Sequence, residues 1–261
     1  MSVRAIPELT YQRKVRLSQL GLLLTIVLLL EYVTRSGMVS YITLTSPTAM
    51  VSTLIELVRS GAIIDDFIQS ATAVGIAFAA SVGSGIPMGW LLWRRQLLHK
   101  ILDPYLVAWY ALPIFAFYPM LIAIFGLNRT PIILISYGIS VIVIVVNTAN
   151  GFSNVHEVYQ KVGRSLDLSR WKAFLHVYFP AAAPYIFTGL KLGFIYAIVG
   201  VLASEFILAD AGLGYQVSYN YRNFATNEMY AVILLIVGIA ITVNLILLRM
   251  EDHLYRRSVG N

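Results

Sequence analysis

Six apolar runs, each long enough to cross a bilayer as a helix, dominate this chain of 261 residues. A helix needs about 20 mostly apolar residues to span the hydrocarbon core, where only helices and closed barrels satisfy their own backbone hydrogen bonds. The composition agrees, because 12% of the residues are charged, against about 25% in soluble domains. The sequence therefore predicts an all-α integral membrane protein with six transmembrane helices. The runs cover residues 17–33, 67–93, 104–125, 131–151, 186–208 and 229–248.

The basic residues are distributed unevenly between the two sides of these spans. With the N-terminus placed inside, only Arg35, Arg59, Arg129 and Arg222 of the 19 Lys and Arg residues fall outside, and the other 15 lie at or near the inner side. Cytoplasmic segments of membrane proteins are enriched in Lys and Arg. The sequence thus predicts a multi-pass protein with cytoplasmic N- and C-termini. The same distribution explains the net charge of +6 without a nucleic-acid partner.

One membrane domain with an additional N-terminal part accounts for the order of the segments. After the first span, Ser46 and Pro47 predict the start of a short amphipathic helix, and Gly61 predicts its end. We expect this helix to lie at the outer interface. The predicted parts are residues 1–66 (first transmembrane helix and interfacial helix), 67–249 (core of five transmembrane helices, including a loop at about 153–180) and 250–261 (cytoplasmic tail).

The 153–180 loop is the longest predicted inside segment between spans. A cap at Asn154 predicts one short helix, and Asp167 or Ser169 is placed to cap a second. Pro180 predicts the end of that second helix. Two short helices below the membrane can dock on a partner or pack under their own bundle, and periodicity leaves both readings open.

This loop resembles the cytoplasmic motif by which import permeases of the ATP-binding cassette (ABC) class contact their ATPase subunit. The motif reads Glu-Ala-Ala, three residues, Gly, nine residues, then Ile-x-Leu-Pro. With Pro180 as its last residue, Asp167 takes the glycine position and residues 161–163 (Lys-Val-Gly) take the Glu-Ala-Ala position. The motif is therefore degenerate, with Lys161 in place of the acid.

Other stretches are similar to the nitrate, sulfonate, taurine and bicarbonate branch of the binding-protein-dependent transport permeases. Together they cover most of the chain, in the order and spacing of that branch. They are residues 83–89 (GSGIPMG), 113–126, 146–151 (VNTANG), 180–184 (PAAAP), 188–191 (TGLK), 203–205 (ASE) and 211–215 (AGLGY).

The resemblance implies the type I ABC importer (methionine-importer-like) permease fold, with a cytoplasmic coupling helix, in the bacterial plasma (inner) membrane. The implied function is to translocate a small polar or anionic solute, such as a sulfonate, nitrate, taurine or a pyrimidine precursor. The implied partners are a dimer of ABC ATPase subunits, an external solute-binding protein, a second copy of the permease and membrane lipid. ATP and Mg²⁺ belong to the ATPase, and no cofactor is expected on this chain.

The residues implied to couple to the ATPase are Lys161, Val162, Gly163, Arg164, Ser165, Leu166, Asp167, Ser169, Arg170, Trp171 and Pro180.

The sequence contains no pattern for a catalytic or metal site. HExxH, GxSxG and GxxxxGK[ST] are all absent, and the four histidines show no paired metal-binding spacing. We therefore expect a transport subunit, not an enzyme, with ATP hydrolysed by a partner. Two alternatives are an ion-coupled secondary transporter, which would need inverted repeats and midplane charges, and an intramembrane enzyme, which would need a catalytic pair inside the spans.

Polar residues within the spans are the candidates for a transport pathway. An ionisable group in the hydrocarbon region costs about 2.5–3.5 kcal/mol on insertion scales, so such a group is a functional candidate. Glu205 is the clearest case, and it either lines the pathway or accepts hydrogen bonds from a neighbouring helix. Tyrosines can belong to the interfacial belt or line a path. The candidate pathway residues are Glu205, Ser204, Asn147, Tyr110 and Tyr196.

Overall fold

The computed structural model describes the backbone of residues 8–259, together with the side chains of residues 13–251 except those at positions 16, 162 and 164. Within this part the chain forms eleven α-helices. They are α1 (Glu8–Arg35), α2 (Pro47–Arg59), α3 (Ile64–Arg94), α4 (Gln96–Ala111), α5 (Tyr118–Phe125), α6 (Arg129–Ser153), α7 (Glu157–Ser165), α8 (Arg170–Ala173), α9 (Phe179–Leu208), α10 (Leu213–Arg222) and α11 (Thr226–Val259).

Five of the six predicted spans correspond to single long helices. Among the described residues, α1, α3, α6, α9 and α11 each contain a stretch long and apolar enough to cross a membrane. The remaining span, at residues 104–125, is sharply bent, because α4 and the segment Ile114–Phe125 meet at an angle of 84°. Leu112 has an extended backbone (ψ 129°), as expected for a residue before proline. Pro113 therefore breaks the third span, and the count reaches six when the bent pair is one span.

The predicted helix after the first span is confirmed as α2. Ser46 is its N-cap, and the Ser46 side chain accepts a hydrogen bond from the Ala49 amide at 3.3 Å. Pro47 occupies the first turn, where its missing N–H costs nothing. The helix ends at Arg59, just before Gly61, whose φ of +77° suits glycine.

The chain divides into two compact units. The larger one holds residues 63–218 and 236–261, and therefore α3 to α9 complete. The smaller one includes the described residues up to 62 together with Tyr219–Leu235. Within the smaller unit, Glu31 accepts hydrogen bonds from the backbone amide and hydroxyl of Thr48, at 3.1 and 2.7 Å, which ties α1 to the start of α2.

The core of the larger unit consists of α6 packed along both α3 and α9. Small residues make this close approach possible, as is usual for helices in lipid. A Cβ atom built on any of several glycines of α3 and α9 would come within 3 Å of an α6 residue. These glycines are Gly85, Gly89, Gly189, Gly193 and Gly200.

Gly89→Ala and Gly83→Ala form a matched pair on α3. A Cβ at position 89 would lie 2.6 Å from the Thr148 Cβ and 2.7 Å from the Val145 carbonyl oxygen, whereas one at position 83 would meet nothing within 4 Å. We expect Gly89→Ala to lower the free energy of unfolding by about 1–3 kcal/mol, the usual cost of overpacking. Gly83→Ala should be neutral or slightly stabilising. The melting temperatures of the two purified variants in detergent measure this, and equal values would contradict the close packing of α3 on α6.

Candidate functional site

The 153–180 loop contains two short helices, α7 and α8, as the sequence predicted, but the first one begins later than expected. Asn154 is the C-cap of α6, and its amide donates to the Asn150 carbonyl. The prediction of an N-cap at Asn154 is therefore wrong, because α6 continues past the end of its apolar run. The ring Nδ1 of His156 accepts a hydrogen bond from the Val158 amide at 3.3 Å at the start of α7.

The turn after α7 places Asp167 in the left-handed conformation, with φ +47°. The Leu168 amide donates to the Gly163 carbonyl five residues earlier, at 3.2 Å. This bond and the positive φ together define a Schellman helix end, where glycine is the usual residue and Asp is tolerated. Asp167 thus adopts the backbone conformation that a turn glycine would supply.

The chain after this turn is helical from α8 into α9 without a break. Ser169 caps α8 and accepts from the Lys172 amide at 3.5 Å. The segment Phe174–Tyr178 is a π-helix, in which the Phe179 amide donates to the Phe174 carbonyl. The expectation that Pro180 ends a helix is wrong. Pro180 lies in the first turn of α9, and the wider π turn accommodates a residue that has no N–H.

Stacked aromatic rings join this loop to the core. The ring centroids of Trp171 and Phe174 are 5.7 Å apart, those of Phe174 and Phe152 also 5.7 Å, and those of Phe152 and Trp93 5.1 Å. We call these four residues the aromatic stack. Phe152 lies on α6 and Trp93 on α3, so the stack connects the start of α8 with both helices. Gly163 of α7 lies close to the π-helical segment: a Cβ atom added at this position would be 3.3 Å from the Val177 side chain.

The loop presents apolar side chains to its surroundings. Leu166 is 66% exposed and Trp171 67%, and Val158 and Tyr159 are exposed beside them. The exposed ion pair between Lys161 and Glu157, at 3.3 Å, contributes little at such a position. Val162 and Arg164 lie outside the residues whose side chains are described. Of the other predicted coupling residues, all but the buried Gly163 are exposed: Lys161, Ser165, Leu166, Asp167, Ser169, Arg170, Trp171 and Pro180.

The five pathway candidates differ in their burial. Tyr110 on α4 and Tyr196 on α9 are exposed, whereas Ser204 and Glu205 are buried near the end of α9. Asn147 is half-buried, and its amide donates to the Val143 carbonyl of its own helix at 2.8 Å. The structure therefore does not bring the five residues together, and their role in a pathway stays a prediction.

Tyr110 lines a cavity of about 100 Å³ between α4 and α6. The polar residues around this cavity include His99, Asp103 and Asn150.

Among the residues that the structure describes, no group of three or more His, Asp or Glu side chains is placed to hold a metal ion.

Glu205 belongs to a buried network that sequence reasoning did not find. It accepts a hydrogen bond from Ser70 of α3 at 2.8 Å and one from the Gly214 amide at 3.0 Å. Ser70 accepts from the Leu213 amide at 2.8 Å, and Asp66 accepts from the Gly212 amide at 2.7 Å. We call Asp66, Ser70 and Glu205 the carboxylate clasp. Hydrogen bonding to a neighbouring helix is one of the two roles that the sequence left open for Glu205.

Comparison with known proteins places this architecture in a family. The family model described as binding-protein-dependent transport system inner membrane component matches residues 75–259. The chain belongs to this family.

Several curated permeases are similar to this chain. The nitrate import permease protein NrtB of Synechocystis sp. is 31% identical over 170 residues, which is 65% of this chain and 62% of the relative. The taurine transport system permease protein TauC of Escherichia coli is 30% identical over 185 residues, 71% of this chain and 67% of TauC. The bicarbonate transport system permease protein CmpB of Synechococcus elongatus is 30% identical over 168 residues, 64% and 60% of the two chains. The chain thus spans about six tenths of the length of the nitrate permeases that it matches.

A solved structure confirms the predicted fold. A chain of the inward-facing MetNI methionine ABC transporter superposes with a TM-score of 0.62 at 15% sequence identity, covering 74% of this chain and 95% of the other. At this identity the likeness concerns the fold alone. The chain therefore has the methionine-importer-like permease fold that the resemblance implied.

The turn at Asp167 generates a test with two opposite substitutions. Asp167→Gly should stabilise the end of α7, because glycine adopts a positive φ without strain. Asp167→Val should destabilise the turn by about 1–2 kcal/mol, since a left-handed residue with a Cβ is unfavourable and branching worsens it. Hydrogen–deuterium exchange of the peptide covering residues 157–168 measures the difference. Faster exchange in the glycine variant would contradict the assigned turn.

Proposed function

We propose that this chain is the membrane-spanning permease subunit of an ATP-driven ABC importer, which translocates a small polar or anionic solute delivered by an external binding protein. The observation that carries the proposal is the exposed apolar surface of the 153–180 loop, fixed to the core by the aromatic stack. A surface of this kind is costly in water unless a partner covers it. Family membership supports an ATPase as that partner.

The ATPase contact takes the form of a short helix seated in a groove, a common mode of recognition. Leu166 and Trp171 are the expected anchors, because large apolar and aromatic side chains at the centre of an interface contribute most of its binding free energy. ATP and Mg²⁺ bind to the ATPase dimer and not to this chain. Closure of that dimer moves α8, and the continuous helix from α8 into α9 carries the motion into the membrane.

A second copy of the permease supplies the other wall of the pathway. Most of α9 is buried or half-buried. Its exposed side chains include Tyr185, Tyr196, Val199 and Phe206. The spacing of these four residues places them on one side of the helix. We assign this side of α9, with Tyr110 of α4, to the surface that faces the pathway and the second copy. The names of the nitrate, taurine and bicarbonate permeases among the relatives support a small anion or zwitterion as the solute.

Trp171→Ala tests the coupling role of the loop. Loss of an interface anchor typically costs 2 kcal/mol or more, which corresponds to about 30-fold weaker association. We expect the permease variant to insert normally but to capture its ATPase poorly, so that solute uptake per ATP hydrolysed falls several-fold in proteoliposomes. Nitrate, taurine and bicarbonate are the solutes to test with the wild-type transporter first.

The control for Trp171→Ala is Tyr41→Ala, which removes another highly exposed aromatic side chain in a segment predicted to lie outside. It should leave ATPase capture unchanged. Normal ATPase binding by the Trp171→Ala variant would reject the loop as the ATPase contact. Absence of uptake of any solute by the wild-type assembly with its ATPase and binding protein would reject the importer function itself.

Membrane orientation can be tested directly because the chain contains no cysteine. We propose that the 153–180 loop and both termini are cytoplasmic, in the inner membrane of a bacterium. Leu166→Cys should react with an impermeant maleimide only after the cells are permeabilised, whereas Tyr41→Cys should react in intact cells. The reverse pattern would invert the topology.

A further inference from the structure

We propose that the carboxylate clasp locks the turn after α9 to α3 and α9, so that Asp66, Ser70 and Glu205 are positioning residues for transport. In this role Glu205 transmits motion and does not touch the solute. The inference rests on the proposed importer function for its consequence in transport. The contacts themselves are independent of that function.

The three side chains of the clasp, two from α3 and one from α9, accept hydrogen bonds from three consecutive backbone amides. The amides of Gly212, Leu213 and Gly214 donate to Asp66, Ser70 and Glu205 respectively. The second Asp66 oxygen accepts from the Gln216 side chain at 2.6 Å, and the Ser70 hydroxyl proton is shared by both Glu205 oxygens. Successive amides in a turn form a site for anionic groups, and here the protein's own carboxylates occupy it.

The clasp is closely packed around Glu205. A cavity of about 260 Å³ reaches Ser70 and Leu213, and Glu205 is not among the residues that line it. Asp66, Ser70 and Glu205 are 8%, 4% and 2% exposed. Gly212 has φ +108°, and a Cβ added there would collide with the Glu205 carboxylate. A Cβ at Gly214 would collide with the Leu202 carbonyl. The turn therefore lies directly on the carboxylate, and only glycine fits at these two positions.

Helix α9 connects the clasp with the proposed ATPase contact. Its 30 residues extend about 45 Å at 1.5 Å per residue. Its first turn adjoins the π-helical segment and the aromatic stack, and its last turn carries Glu205. Movement of the loop therefore reaches the clasp along one continuous helix. Because the clasp holds the turn at 209–214 and the first residues of α10, these segments move with α9.

The first test measures the clasp itself, without reference to transport. Asp66→Ala leaves the buried Gly212 amide without an acceptor, and Ser70→Ala does the same to the Leu213 amide. Unpaired buried amides destabilise the closed turn, so we expect hydrogen exchange in the peptide covering residues 209–216 to accelerate at least tenfold in each variant. Asp65→Ala and Thr72→Ala are matched controls, since both side chains are exposed on the same helix, and neither should change the exchange.

The second test measures coupling in the assembled transporter. In proteoliposomes holding the permease, its ATPase and its binding protein, Asp66→Ala should lower the ratio of binding-protein-stimulated to unstimulated ATP hydrolysis at least threefold. A purely structural defect would lower both rates in proportion to the amount of folded complex and leave the ratio unchanged. Asp66→Asn should restore most of the stimulation ratio, because its amide oxygen can still accept a hydrogen bond from the Gly212 amide. This variant also keeps the test valid if the alanine variant fails to fold.

Three outcomes would overturn the proposal. Exchange at residues 209–216 that is as slow in Asp66→Ala as in Asp65→Ala would show that the clasp does not hold the turn. An unchanged stimulation ratio in a variant with fast exchange would show that the turn does not transmit motion. A Glu205→Gln variant that keeps the wild-type exchange and stimulation ratio but changes the relative uptake of nitrate, taurine and bicarbonate would place Glu205 in the solute pathway.

If the wild-type assembly shows no stimulation, the importer function fails and the transmission role fails with it, while the exchange experiment still decides whether the clasp exists.

Discussion

Close packing of α6 against α3 and α9 is the constraint on which the rest of the structure depends. In lipid the helices gain nothing from leaving water, so their association relies on intimate contact between backbones. The glycines that face α6 permit that contact, and Ser136 adds a hydrogen bond from α6 to the Ala197 carbonyl of α9 at 2.7 Å. The loop and the clasp both depend on this core, because the aromatic stack rests on α3 and α6 and the clasp joins α3 with α9.

The two ends of α9 are held by different chemistry. At one end, stacked aromatic rings fix the loop through broad contacts that tolerate small changes of angle. At the other end, hydrogen bonds to carboxylates fix the turn through short, directional contacts. The proposed contact of the loop with an ATPase suits the first kind of contact, because it tolerates movement. A turn that must keep its position on the helix suits the second.

The sequence predicted the spans and the fold because the bilayer imposes length and apolarity on every spanning helix. It failed at Pro180, which it took for the end of a helix. Pro113 follows an extended residue and breaks its span, whereas Pro180 lies in a first helical turn after a π-helical segment. That difference depends on the helix geometry around each proline, which the local residue pattern does not indicate. The clasp was also missed, except for Glu205, because its hydrogen bonds join α3 to residues 135 to 150 positions later, and such contacts leave no periodic signal. The glycines at 212 and 214 after Glu205 were the available clue.

The clasp also fixes an order of events during synthesis. Asp66 and Ser70 emerge from the ribosome long before their partners, since Gly212 lies 146 residues after Asp66. At roughly 5–20 residues per second, about 7–30 seconds pass between the synthesis of Asp66 and that of Gly212. During that interval α3 can remain stable only with this end in contact with water or lipid head groups, because an unpaired carboxylate is costly in hydrocarbon. The hydrogen bonds that pair this end of α3 with the turn after α9 therefore form only once that turn has been made.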